Sequence, residues 1–289
     1  MHIGVTGSSG FVGTHLTKAL KQLPDVQVSL LQRNSAGSFP GIDELTSFVR
    51  DLDLIYHLAG VNRGTDEEIV QGNIEATFKL VEAVKAVGPA SARIVFTSAS
   101  QVYKPVAQAG KVIRESQRTD PATLYGVAKK AAEDLIRISG IDHVILRLAN
   151  IYGPGCRPNY NSVIATFCHR VARGEPIQID GDGRQGRDFL FIDDAVRALV
   201  LAGTKRGKSV SGVYNVGTGR TTSLRQVIRN LKAAGVEVNA TFASDADTGK
   251  HSFGLDASRF AKRFGWKPKT APAAGIKNTL RWFQERTDS

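Results

Sequence analysis

The chain has 289 residues, 42% of them apolar, and no low-complexity tract, so it can bury a large core and is not a disordered chain. Its net charge of +11 suits an anionic partner, but the basic residues are scattered, with no Lys/Arg run and no aromatic-studded basic stripe, and a nucleic-acid partner is not expected. Two cysteines without metal-ligand or redox spacing, no membrane-length apolar run and an opening that reads as a strand rather than a leader point to a cytoplasmic protein with neither metal nor membrane partner.

In chain order, the first strand is expected at His2–Thr6, a helix at Phe11–Leu23 and a second strand at Val26–Gln32. The stretch from Asn34 to Leu52 has room only for a loop and one short helix, Ile42–Arg50, so a strand there is expected to be vestigial or missing. Then follow a strand at Leu54–Leu58, a long helix at Asp66–Val87, a strand at Arg93–Ser98, a helix at Leu124–Ser139 and a strand at His143–Leu148. Strands alternating with helices predict an α/β fold, a doubly wound parallel sheet of the Rossmann type. Beyond Gly155 the texture changes. Helices at Ser162–Gly174, Asp193–Ala202, Leu224–Ala234 and Ala274–Glu285 are separated by short strands such as Pro176–Ile179 and Gly212–Val216. A dinucleotide-binding domain over 1–155, completed by strands from about 176–216, and an interleaved substrate lobe over 156–289 are therefore expected, with a cleft between them.

Two motifs carry chemistry. Thr6-Gly-Ser-Ser-Gly-Phe-Val-Gly13 follows the first strand directly. There Gly7 permits the turn, Gly10 lets backbone approach a pyrophosphate, Gly13 allows close packing, and the helix opening at Phe11 and Val12 offers free N–H groups. The second motif is Tyr125 and Lys129, four apart in Leu124-Tyr-Gly-Val-Ala-Lys129. Positions i and i+4 share a helix face, so the ammonium is expected to lie beside the phenol and favour its ionised form, since a free tyrosine with a pKa of roughly 10 is a poor base at neutral pH. At the end of the second strand no carboxylate stands ready for a ribose 2′-hydroxyl. Gln32 and Arg33 occupy that place, which favours NADP(H), with NAD(H) as the alternative.

With the glycine string, His57-Leu-Ala-Gly60, Asn73, Phe96-Thr-Ser-Ala-Ser-Gln-Val-Tyr103, Tyr125/Lys129, Arg147-Leu-Ala-Asn-Ile-Tyr-Gly-Pro154, Gly181-Asp-Gly-Arg-Gln-Gly-Arg-Asp-Phe189 with Asp193-Asp194, Tyr214-Asn-Val-Gly-Thr-Gly219 and Phe264-Gly-Trp-Lys-Pro268, nearly the whole chain resembles the extended short-chain dehydrogenase/reductases, the epimerase/dehydratase group acting on nucleotide-diphosphate sugars. The resemblance implies that Tyr125 exchanges a proton with the sugar and Lys129 holds the nicotinamide ribose. It places Leu58, Ala59, Gly60, Asn73 and Ser98 against the cofactor and Asn150, Asn161 and Arg187 on the substrate. It also implies a homodimer built on the helices at 66–87 and 124–139. The family's usual Ser or Thr, four residues before the tyrosine matched here by Tyr103, is Ala99, and Ser100 is expected to serve in its place. The dehydratases of the group carry an Asp-Glu pair where this chain has Ser100-Gln101, which disfavours elimination of water.

Leu58-Ala-Gly-Val-Asn-Arg63 and the segment Cys156–Cys168 further resemble the reductase domain of capsular-polysaccharide enzymes that reduce a 4-keto nucleotide sugar; the cupin domain into which those enzymes continue is not expected here, and the Arg187 loop is nearer the 4-epimerases. A 4-ketoreductase is thus expected, a 4-epimerase with tightly bound NAD is the alternative, and a non-catalytic cofactor sensor that Ala99 would suit is a remote third.

Overall fold

The computed structural model describes residues 1–34, 37–106, 110–160, 162–205, 210–243 and 253–286. Six parallel strands form one sheet in the order Gln27–Leu30, His2–Thr6, Leu54–His57, Arg93–Ala99, Asp142–Leu148, Gly212–Val216. From His2–Thr6 the chain goes first to one neighbour and then crosses to the other. The strand order therefore reverses there, and the crevice at the carboxyl ends of His2–Thr6 and Leu54–His57 is the natural binding place of a doubly wound sheet.

The central strands are buried on both faces, as the consecutive apolar residues at their centres require. Leu54, Tyr56, Val95, Val144 and Leu146 enter one core, while the alternate residues Ile55, Ile94, Phe96 and Ile145 enter the other. Between the second and third strands the chain forms the helix Ile42–Val49, whose Leu45 and Val49 cover the second core. Strand Gly212–Val216 completes the sheet edge, whereas Ile177–Ile179 pairs with Ala240–Phe242 away from it.

The rest of the chain adds helices at Val163–Ala172, Ile192–Thr204, Leu224–Ala233, Ser258–Phe264 and Pro272–Gln284. Short strand pairs tie these to the sheet's carboxyl edge. Asn150–Tyr152 runs parallel to Phe189–Phe191, Gly186–Arg187 antiparallel to Thr222–Ser223, and Lys111–Ile113 parallel to Phe253–Leu255. The late aromatic motif anchors the end of the chain: Trp266 is fully buried and its indole N–H donates to the Asp194 carbonyl, while the Asp194 carboxylate accepts from the backbone N–H groups of Lys269 and Thr270. No helix among the described residues is long and apolar enough to cross a membrane.

The expected long helix over 66–87 is in fact three segments: α-helix Asp66–Val70, a π-helical turn Gln71–Glu75 and α-helix Ala76–Val87. Two local features account for the wide turn. The Asn73 amide Nδ2 donates to the Ile69 carbonyl and to Val61 O, both at 2.8 Å, so the side chain takes up a carbonyl four residues back in the helix. Gly72 lets the 58–62 segment come close, since a Cβ there would lie 2.5 Å from Val61 Cγ2. Such insertions often mark functional positions.

Candidate active site

At Gly7 and Gly13 the glycine turn is shaped by contacts that leave no room for a Cβ. Gly7 has φ +69°, and a Cβ on it would sit 2.6 Å from Ala59 N. At Gly13 a Cβ would fall 2.1 Å from the Gly7 carbonyl oxygen, so this glycine sets the helix Phe11–Leu20 directly onto the turn. Gly10 is the N-cap in extended backbone, no acidic residue stands in the first helical turn, and the free N–H groups face the crevice without a competing carboxylate.

These residues open onto a cavity of about 890 Å³. Its walls contain Gly7, Gly10, Phe11, Val12, Gly13, Arg33, Leu58, Ala59, Gly60, Ser98, Ser100, Tyr125, Lys129 and Asn150, which the sequence singled out, together with Phe39, Thr97, Arg157 and Tyr160, which it did not. Asn73 stands behind Gly60, where a Cβ would meet Asn73 Oδ1 at 2.7 Å and Lys129 Nζ at 3.0 Å. A second cavity, about 460 Å³, shares Asn150 and Tyr160 with the first and is lined also by Arg63, Asn159, Gln185 and Arg187. The two therefore adjoin, and among the described residues lining them are five Arg and Lys side chains but no Asp or Glu. Asn161 lies outside the described residues.

The tyrosine helix, Leu124–Ile138, is set by the Thr123 cap, whose side chain accepts from Gly126 N, and by Gly126 itself, where a Cβ would come 2.4 Å from the Gln101 carbonyl. That close approach brings the 3₁₀ turn Ser100–Val102 beside Tyr125. The strand ends at Ala99, so Ser100 is no longer bound by strand alternation and reaches the cavity wall. Ser98 still obeys it: its hydroxyl donates to the buried Glu133 carboxylate.

One expectation is corrected. Lys129 does not draw the phenol down. Its ammonium lies over the Phe96 ring, 4.7 Å from the centroid, and 5.9 Å from that of Tyr125. Burial, reinforced by Tyr160, pushes the Tyr125 phenol above its usual range, while burial brings Lys129 down to about 8 against the opposing pull of Glu133. Removing both groups from water penalises each charged form, and this outweighs their proximity. Burial thus keeps the Tyr125 phenol protonated.

Behind the cleft a hydrogen-bond chain fixes His57. The Thr77 hydroxyl donates to the Asn73 carbonyl at 2.6 Å and so accepts from His57 Nε2–H at 2.9 Å. The Thr6 hydroxyl, which accepts from Ala59 N–H, then donates to Nδ1 at 2.8 Å. Burial first, then Lys129, holds His57 down to about 3. It is neutral, with its tautomer assigned by this bonding, and it links the glycine-turn strand to the π turn.

At the second cavity, Asn150 donates from Nδ2 to the Asp188 carbonyl, and Arg187 Nη1 donates to Gly186 O. The Asp188 carboxylate is occupied by the backbone N–H groups of Thr218, Gly219 and Leu255 and by the Thr218 hydroxyl, which joins the Arg187 loop to the Tyr214–Gly219 turn.

The crevice fits a dinucleotide on its own evidence: a cradle that a Cβ would fill, an unopposed helix N-terminus, and the buried Asn73 Oδ1, which has no hydrogen-bond partner. Fold and site together define a Rossmann-type nicotinamide-dinucleotide enzyme. The model of the NAD dependent epimerase/dehydratase family matches residues 3–217, and the chain belongs to that family. It is 37% identical over 205 residues to a UDP-2-acetamido-2,6-beta-L-arabino-hexul-4-ose reductase of Pseudomonas aeruginosa, an alignment covering 69% of this chain and 49% of that protein. The chain thus spans about half the length of this relative. Among solved structures it is similar to UDP-glucuronic acid 4-epimerase from Bacillus cereus in complex with UDP-glucuronic acid and NAD, at 26% identity, TM-score 0.86 and coverage of 99% and 100%. It is likewise similar to RMD from Pseudomonas aeruginosa complexed with NADPH, at 27% identity, TM-score 0.83 and coverage of 99% and 98%.

Proposed function

We propose that this protein reduces a 4-keto nucleotide-diphosphate sugar with NADPH. The observation that carries the reading is the Tyr125 phenol in the wall of the same cavity as the glycine cradle, Lys129 and Asn150, with Arg187 in the wall of the adjoining one. When bound, the nicotinamide supplies the hydride. The protein's residues do the rest. Gly7, Gly10 and Gly13 admit the pyrophosphate to the helix N-terminus, Lys129 holds the nicotinamide ribose, and Asn73 supports the cofactor-facing segment at Gly60 from behind. Asn150 and Arg187 take the substrate diphosphate, for which the guanidinium fork is suited. Tyr125 gives its proton to the carbonyl oxygen at sugar C4 as that oxygen gains negative charge, Ser100 donates a hydrogen bond to the same oxygen, and the phenol is reprotonated from solvent.

A 4-epimerase is the second reading, favoured by the likeness to the NAD-bound epimerase fold. Purified protein that carries no cofactor and oxidises NADPH in the presence of a UDP-linked 4-keto-6-deoxy sugar supports the reductase. Tightly held NAD+ together with interconversion of UDP-glucose and UDP-galactose supports the epimerase instead.

Arg33 selects the cofactor in this account. It stands at the cavity wall, where its Nη1 donates to Gly37 O at 2.6 Å. Arg33→Ala is expected to weaken NADPH binding about tenfold, the loss of one charged hydrogen bond, while leaving NADH binding as it was. Titration by nucleotide fluorescence checks this, and equal losses for both nucleotides would remove Arg33 from the role. The homodimer implied by the resemblance would use helices Ala76–Val87 and Leu124–Ile138, on which Phe78 and Val127 stand exposed.

A further inference from the structure

The face that carries Tyr125 and Lys129 continues one more helical turn to Glu133, a residue with no part in the chemistry above. Glu133 is fully buried. Its carboxylate accepts from Arg147 Nε at 2.9 and 3.2 Å, from Arg147 Nη2 at 2.7 Å, and from the Ser98 hydroxyl. Arg147 comes from the strand Asp142–Leu148 and packs its guanidinium 4.8 Å from the Tyr103 ring centroid, and the Tyr103 hydroxyl donates to Asn215. The carboxylate is therefore held in one position by two residues, the Arg147 fork and the Ser98 hydroxyl. A buried ion pair gains little stability over an apolar pair of the same shape, because desolvation offsets most of the attraction. Its worth here lies in where it places a charge.

We propose that Glu133 is a positioning residue for Lys129: clamped by Arg147 and Ser98, it keeps a fixed negative charge one turn behind the ammonium, so that Lys129 stays protonated inside the cleft. The surroundings of Lys129 make the case. Tyr125 on the same helix and His57 on the neighbouring strand are both neutral, Phe96 presents only a ring face, Asn73 an amide, and Arg147 a like charge behind the carboxylate. Glu133 is the group that opposes the burial of Lys129. The inference rests on the reading of Lys129 as a cofactor ligand, but its test does not require the reaction, the substrate or the nucleotide.

The test is competitive acetylation of the ligand-free protein with a trace of acetic anhydride over pH 6 to 10, roughly the range set by lysine in and out of a protein, with Lys129 followed by mass spectrometry. Wild-type Lys129 is expected to titrate at about 8. Glu133→Gln, close in shape, should move that midpoint down by on the order of one pH unit, and Glu133→Asp should restore most of it. The expected NADPH affinity follows the same midpoint, since the protonated lysine is the binding form and is lost as pH rises. Because Glu133→Gln leaves Arg147 without its partner, the double variant Glu133→Gln/Arg147→Met is measured beside it. It too should titrate below wild type. A merely structural role would lower the melting temperature and leave the midpoint in place, and an unshifted midpoint in a folded variant overturns the proposal.

Discussion

Tyr125→Phe is expected to lower turnover by two to four orders of magnitude, about what a positioned general acid contributes, while the melting temperature and NADPH affinity stay near wild type. The phenol is held protonated by burial and by Tyr160, and the ring alone fills its place in the wall of the cleft. Phenylalanine keeps that packing and removes the proton. The loss should fall mainly on kcat, because the phenol's bond to the carbonyl oxygen strengthens as that oxygen gains negative charge. Single-turnover mixing of enzyme, NADPH and a UDP-linked 4-keto sugar checks it, and a variant that retains more than about a tenth of wild-type rate has another acid. The wild-type rate should itself decline as pH rises through about 8, where Lys129 loses its proton. The phenol, pushed upward, stays protonated over that window.

The second large effect is at the glycine turn. Gly13→Ala places a methyl 2.1 Å from the Gly7 carbonyl oxygen and 2.8 Å from Ser8 Cα, both backbone atoms with no freedom to swing away. The helix Phe11–Leu20 must lift from the turn, which is expected to cost about 2–3 kcal/mol of stability. A lifted helix also withdraws the N–H groups of its first turn, so NADPH affinity should fall at least about tenfold, the equivalent of one charge-assisted hydrogen bond. Gly10→Ala is the contrast: its Cβ would lie 3.3 Å from the same oxygen, which a small shift relieves. Thermal melts with and without NADPH separate the two effects. Wild-type melting and binding in Gly13→Ala would show that the turn is not the cradle described.

The parts of the fold visible in the sequence are those where one physical signal acts alone. Buried parallel strands such as Leu54–His57 and Arg93–Ala99 are marked by the apolar runs Leu54–Tyr56 and Ile94–Phe96, and the caps and breakers around Leu124–Ile138 bound it to within a residue. The two- and three-residue strands at Asn150–Tyr152, Gly186–Arg187 and Lys111–Ile113 are too short to show alternation, and only tertiary pairing creates them. Periodicity likewise cannot reveal the π turn, because Gln71–Glu75 preserves a helical polar pattern while side-chain bonds from Asn73 reshape the backbone.

At the site, spacing showed that Tyr125 and Lys129 share a face, but not what surrounds them. The direction of the phenol's shift depends on burial and on Tyr160, thirty-five positions away in sequence, and no local pattern carries that. Tyr160 carries one signal in the sequence: it is an aromatic inside the Cys156–Cys168 segment that resembles the reductases. Strand alternation turns both Ser98 and Ser100 away from the side that Ala99 faces, and no local pattern reveals that the strand gives way to a 3₁₀ turn at Ser100.

The most direct measurement uses NADPH carrying deuterium on the transferring face of its nicotinamide, with a UDP-linked 4-keto sugar as acceptor and the product read by NMR. The account predicts one deuterium at the sugar C4 per NADPH consumed, at a rate that Tyr125→Phe nearly abolishes. Deuterium that stays on the nucleotide, or transfer as fast in Tyr125→Phe as in wild type, would contradict it.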